Sequence, residues 1–195
     1  GRGVDAEYRD APKRAYFTAF HRLVSESQVN RSVLVLGPRR VGKTWMMFQC
    51  IDALLKSGVS GSQILFASLE TPLYTGLSLE ALLKLFLRLN PDEPKFVFFD
   101  EIQYLSDWER HLKSLTDSYR AYRFVGSGSA AAALKRKSQE SGAGRFTDFQ
   151  LPPLSFSEYL RFVGREQELI REIPSKRVKG VAARKWECPD IWELN

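Results

Sequence analysis

The chain is predicted to fold as an α/β protein, a parallel sheet covered by helices. Three observations predict it. Short apolar runs alternate with segments of helical periodicity along the chain, the pattern of strands joined by helical crossovers. One run, Val33–Leu36, leads straight into a glycine-rich loop followed by a helix-patterned stretch. Another, Phe96–Phe99, ends in the acid pair Asp100-Glu101.

The N-terminal residues 1–30 contain an aromatic-rich helix centred on Tyr16, Phe17 and Phe20. Such a segment either packs on the core or touches a nucleotide base, packing being the simpler reading. Strands are expected at Val33–Leu36, Ile64–Ala67, Phe96–Phe99, Phe124–Val125 and Phe146–Leu151, each an apolar run of the kind buried on both faces of a parallel sheet. Helices are expected at Trp45–Lys56, Leu79–Leu89, Trp108–Ser118, Ala130–Lys137 and Phe156–Phe162. In the second of these, Leu79, Leu82, Leu83, Phe86 and Leu89 recur at helical spacing, as in a partner-binding helix or, the simpler reading, a crossover helix laid on a sheet. Asn90-Pro91-Asp92-Glu93-Pro94 is the turn before the third strand. After Pro152-Pro153 strand signals thin and charge increases, and the last twenty residues, with Trp186 and Trp192, do not read as a finished domain end.

The loop Gly37-Pro38-Arg39-Arg40-Val41-Gly42-Lys43-Thr44 fits the phosphate-binding pattern G-x-x-x-x-G-K-[ST]. Its glycines permit tight curvature, and N–H groups at the start of the following helix face an anion. Lys43 would reach the β- and γ-phosphates, and Thr44 would offer its hydroxyl to Mg²⁺. Arg39 and Arg40 either touch phosphate or a carboxylate, or are surface charge, and Trp45, which opens the helix, is grouped with the loop residues that bind the nucleotide. The second site is the acid pair. A strand that ends in acids delivers them to the carboxyl edge of the sheet, where ligands bind in open α/β folds. There Asp100 would hold Mg²⁺, and Glu101 would polarise a water for in-line attack.

Composition bounds the remaining possibilities. The 195 residues are 44% hydrophobic and 27% charged, ordinary for a globular protein with a real core. No apolar run approaches the ~20 residues of a membrane span. Two cysteines, Cys50 and Cys188, and two distant histidines, His21 and His111, make neither a disulfide framework nor a zinc pattern, and the cytoplasm is the expected compartment. The net charge of +6 gathers partly at Lys135-Arg136-Lys137 and along Lys176, Arg177, Lys179, Arg184 and Lys185. It reads as a solvated surface or as a nucleic-acid footprint, without aromatics interleaved for base stacking.

The loop, the run Phe98-Phe99-Asp100-Glu101-Ile102-Gln103, Gly128-Ser129, Gly144-Arg145 and Pro153-Leu154-Ser155-Phe156-Ser157-Glu158-Tyr159-Leu160 together resemble the prokaryotic AAA-superfamily P-loop ATPases with a GPRRVGKT and DEIQ signature. The resemblance covers about residues 30–165. It implies a three-layer P-loop NTPase sandwich with sheet order 5-1-4-3-2. It also implies that the strand between those of the loop and the acid pair ends in a polar residue near the γ-phosphate. Ser127 is the first choice and Ser129 the second, the latter also suited to cap a helix. Arg145 would sit where an arginine of such ATPases projects toward the nucleotide of a neighbouring subunit, a role worth roughly 10³–10⁵ in rate where it operates. The competing reading of Arg145 is a salt bridge. One departure is Trp45, where a small polar residue is common; in the first helical turn it should alter packing more than phosphate binding.

Taken together, the expectation is an N-terminal segment (1–30), an ATPase core (31–165), and the start of a truncated C-terminal segment (166–195). Family members usually continue into a winged helix and a nuclease-like domain. The core would bind ATP and Mg²⁺ and hydrolyse ATP, self-associating through Arg145, with a DNA or protein client engaged through further domains. The alternative is an ATP-dependent switch or DNA-associated module with little turnover of its own. The chain has no Asn-Lys-x-Asp guanine-reading motif, which favours ATP over GTP.

Overall fold

Apolar residues alternate sides along each predicted strand, and the fold uses both sides. The computed structural model describes residues 3–26, 29–74, 76–89, 95–129 and 144–165, and the backbone of 171–173 and 185–187. The chain divides into two compact units, Gly1–Pro153 and Leu154–Asn195. The first contains α1 (Ala6–Arg9), α2 (Phe17–Glu26), β1 (Ser32–Leu36), α3 (Lys43–Lys56), β2 (Ile64–Ser68), α4 (Leu79–Leu89), β3 (Phe96–Asp100), α5 (Trp108–Ser118), β4 (Arg123–Gly128) and β5 (Phe146–Gln150). The second contains α6 (Phe156–Phe162) and the antiparallel pair β6 (Arg171–Ile173) and β7 (Lys185–Glu187). Ser155 and Glu158 form a reciprocal capping box at the start of α6.

The five strands of the first unit form a parallel sheet in the order β2-β3-β4-β1-β5, which is the expected 5-1-4-3-2 order read from the other edge. Because side chains alternate across a strand, Leu34 and Leu36 of β1 and Val97 and Phe99 of β3 face one layer. There they meet Leu79, Leu82 and Leu83 of α4 and Trp108, Leu112 and Leu115 of α5. Val33, Val35, Phe96 and Phe98 face the other, with Met46, Met47, Cys50 and Leu54 of α3 and Phe17, Phe20 and Val24 of α2. Phe98 and Phe99 are both fully buried, and each such side chain contributes about 2–3 kcal/mol. The result is a three-layer sandwich.

The differences from the sequence reading have local causes. Strand β4 runs through Gly128, beyond the expected Phe124–Val125. Gly126, Ser127 and Gly128 have weak strand preference, but they pair in register with Leu34, Val35 and Leu36 of β1. Helix α3 begins at Lys43, two residues before the expected start. The N-terminal segment packs onto α3: the Tyr8 ring stacks on Phe48 with centroids 4.5 Å apart. Gln49 Nε2 donates to the carbonyls of Ala11 (3.0 Å) and Tyr8 (3.3 Å). Strands β6 and β7 had no sequence expectation. The expected helix over Ala130–Lys137, the turn at 90–94, both basic clusters, Trp192 and Cys188 lie outside the residues whose side chains are described.

Candidate nucleotide site

The loop leaves the C-terminal end of β1 at Gly37, where only glycine fits. A Cβ there would stand 2.2 Å from the carbonyl oxygen of Leu151. The chain enters α3 through Gly42, whose φ of 90° lies in the left-handed region that favours glycine. Helix α3 starts without a capping side chain, so its first N–H groups are left to an anion. Lys43 is 4% exposed and curls back over the loop, its ammonium donating to the carbonyls of Pro38 (2.9 Å) and Gly37 (3.3 Å).

Strand order then assembles the rest. β4 lies between β1 and β3, so Ser127, near its end, falls between the loop and the acid pair. Thr44 Oγ1 donates to Asp100 Oδ2 at 2.8 Å. The Ser127 hydroxyl donates to Asp100 Oδ1 and accepts from the Glu101 N–H at 3.1 Å. Asp100 and Ser127 are buried, at 3% and 0% exposure, so both carboxylate oxygens of Asp100 have hydroxyl partners in a low-dielectric setting. Thr44, Asp100, Ser127 and Glu101 thus form one hydrogen-bonded chain that links the first turn of α3 to the ends of β3 and β4.

Beside it, at the C-terminal edge of the sheet, lies a cleft of about 560 Å³ lined by Arg39, Arg40, Glu70, Glu101 and Tyr104. Tyr104 donates its hydroxyl to Glu70 at 3.2 Å. Arg40 and Glu101 have positive φ (63° and 54°), a conformation that costs a non-glycine residue about 1–3 kcal/mol and concentrates at functional sites.

Two expected site residues point elsewhere. Trp45 is 38% exposed and packs edge-to-face on Tyr8 of the N-terminal segment, centroids 5.0 Å apart. Arg145 precedes β5, whose first residue pairs with Ser32 at the start of β1, so it lies at the sheet edge opposite the loop. It forms an ion pair with Asp117 at 2.5 Å, and the geometry does not bring it to the site of its own chain.

Sequence reasoning gave no role to two residues that hold the site. Buried Arg14 donates to the loop carbonyl of Val41 (2.7 Å) and to the carbonyls of Pro152 (3.0 Å) and Pro153 (3.3 Å). No local pattern marks it, because its partners are distant in sequence. Gln103 donates its side-chain amide to Glu101 and accepts from the Ser129 N–H at 3.2 Å. Its signal was its position two residues after Glu101 in the DEIQ run. Cys50, behind the loop in α3, is no nucleophile, since burial pushes its thiol up to about 12.

The chain can now be set beside known proteins. The AAA domain family profile matches residues 29–160. An uncharacterised protein of Methanocaldococcus jannaschii is 29% identical over 134 residues, 68% of this chain and 29% of that protein. An uncharacterised protein of Haemophilus influenzae is 28% identical over 130 residues, 65% of this chain and 32% of that one. Among solved structures, a closed-state cryo-EM reconstruction of Hsp104 with ATPγS and FITC-casein is similar at a TM-score of 0.57. That likeness covers 83% of this chain and 30% of the other at 13% identity, and it is one of fold. The matches cover less than a third of the length of each of these proteins. With the family match running from just before β1 into α6, the chain belongs to the AAA domain family of P-loop ATPases.

Proposed function

We propose that the chain binds ATP with Mg²⁺ and hydrolyses its terminal phosphoanhydride bond. The observation that carries this reading is the hydrogen-bonded chain Thr44–Asp100–Ser127–Glu101 at the mouth of the phosphate loop. The oxygen donors suit a hard cation that takes only one or two protein ligands and fills its shell with phosphate and water. Consistently, no cluster of three or more His, Cys, Asp or Glu forms a metal cage among the described residues. Thr44 and Asp100 would hold the ion, which when bound neutralises charge on the β- and γ-oxygens.

The other residues have distinct tasks. Lys43 would exchange the carbonyls of Gly37 and Pro38 for phosphate oxygens, and the loop N–H groups would bind the remaining charge. Arg39 and Arg40 would add positive charge at the open side. Glu101 would orient a water and take its proton as the water oxygen bonds to the γ-phosphorus. The bond to the β–γ bridging oxygen then breaks, releasing ADP and phosphate. Ser127 would register the γ-phosphate through its bonds to Asp100 and the Glu101 N–H.

A second reading, a nucleotide-dependent switch with little turnover of its own, is favoured by Arg145. It pairs with Asp117 at the edge of the sheet away from the loop, so it would reach a nucleotide only on a neighbouring copy. In either reading residues 1–30 serve an ATPase core over 31–165, and 166–195 form a segment apart from it. The working compartment is the cytoplasm, and the client of the ATP cycle is DNA or protein. The test is phosphate release from Mg-ATP at rising protein concentration, with and without duplex DNA. Release by the chain alone supports the enzyme. ATP binding without release, or release only when DNA or concentration drives assembly, supports the switch. No ATP binding refutes both.

A further inference from the structure

We infer that Gln103 is a positioning residue that fixes the Glu101 carboxylate and ties it to the exit of β4 at Ser129. The inference rests on the reading of Glu101 as the acid that takes the proton from water. Glu101 sits in a left-handed turn, φ 54° and ψ 51°, and the chain then makes one 3-10 turn over Ile102–Tyr104. Ile102 is fully buried in the core, so the turn is anchored from below. This brings the half-buried Gln103 side chain back over Glu101.

Both ends of the Gln103 amide are then dictated by chemistry. A carboxylate accepts and a backbone N–H donates, so Nε2 faces Glu101 while Oε1 faces Ser129. Exchanging the two amide atoms would break both bonds at once. Glu101 is therefore held twice by the end of β4. Its N–H is held by the Ser127 hydroxyl, and its carboxylate is held by Ser129 through Gln103. A glutamate has three side-chain torsions, and a proton acceptor must stand within about 0.5 Å of its productive position. Gln103 supplies that restraint, and it couples the restraint to the end of β4, which in the proposed function would face the γ-phosphate.

The test compares wild type, Glu101→Gln, Gln103→Ala and Gln103→Glu in single-turnover phosphate release, with ATP affinity measured on each. Gln103→Ala is expected to lower the rate about tenfold or more, with ATP affinity within about twofold of wild type. Gln103→Glu has nearly the same shape and keeps an acceptor for Ser129, but turns a carboxylate toward a carboxylate. It is expected to lose at least as much as the alanine variant. A residue that merely filled space would show the opposite order, with glutamate restoring the rate. Wild-type rates in both Gln103 variants, restoration by glutamate, or losses that track ATP affinity overturn the inference. Should Glu101→Gln itself turn over like wild type, or wild type release nothing, the reading of Glu101 fails and this inference falls with it. A slow Glu101→Gln beside two fast Gln103 variants overturns the inference alone.

Discussion

Thr44 and Asp100 are 56 residues apart in the chain, yet the Thr44 hydroxyl donates to the Asp100 carboxylate at 2.8 Å. The contact exists because β1 and β3 flank β4 and both end at the same edge of the sheet. It joins the phosphate loop to the acid pair, so the two oxygens proposed for the metal lie side by side.

Replacing Thr44 with valine keeps the shape of the side chain and removes the hydroxyl. The expected outcome is loss of about tenfold or more in the Mg²⁺-dependent part of ATP affinity, with affinity in chelator little changed. Titrations with and without Mg²⁺ check it, and an unchanged metal dependence would remove Thr44 from the metal site.

Gly37→Ala should destabilise the fold as well as the site. The added methyl meets a backbone carbonyl at 2.2 Å, and a backbone atom cannot swing away as a side-chain tip can. A cost of about 2–3 kcal/mol is expected, a drop of roughly 4–12 °C in melting temperature. An unchanged melting curve would mean that Leu151 does not press on the loop.

Arg14 braces the loop from outside the motif. Arg14→Ala strands the carbonyls of Val41, Pro152 and Pro153, at an expected cost of about 2–4 kcal/mol in urea unfolding and with weakened ATP binding. Arg14→Lys should recover only part, since one ammonium cannot reproduce the planar fork that reaches all three oxygens. Full recovery by lysine would show that charge alone matters there.

Cys50 gives a pH signature. Burial raises its thiol from 9.0 to about 12, so above pH 9 the unfolded chain loses a proton that the native state keeps. The unfolded state then binds fewer protons, and stability falls with rising pH by about 1.4 kcal/mol per unit between these values. Cys50→Ala lacks this contribution. Its deficit against wild type should therefore shrink as urea unfolding is measured from pH 8 to 10.5, and a constant deficit would contradict the buried thiol.

What the sequence disclosed follows the reach of each signal. The loop is contiguous and its residue types are fixed by phosphate chemistry, so Gly37, Gly42, Lys43 and Thr44 could be read directly. Asp100 and Glu101 were legible because an acid pair closing an apolar strand, a weak sign alone, gains meaning some sixty residues after a phosphate loop. The ends of β4 were not, since Gly126-Ser127-Gly128 become strand only through pairing with β1. Arg14 was invisible because nothing near it in the chain states which carbonyls it will meet. Trp45 was expected to affect packing more than phosphate, but its partner, Tyr8 of the N-terminal segment, is named by no pattern near it. Arg145 carried two readings, and only the ion pair with Asp117 has partners within one chain.

The most direct test of the account is the pairing of ATP affinity with phosphate release in wild type and Glu101→Gln. The substitution preserves shape and removes the proton acceptor, while leaving Lys43, Thr44 and Asp100 in place. The account predicts ATP affinity within about threefold of wild type and a rate lower by about 10²–10⁴. Equal rates in the two proteins would contradict it.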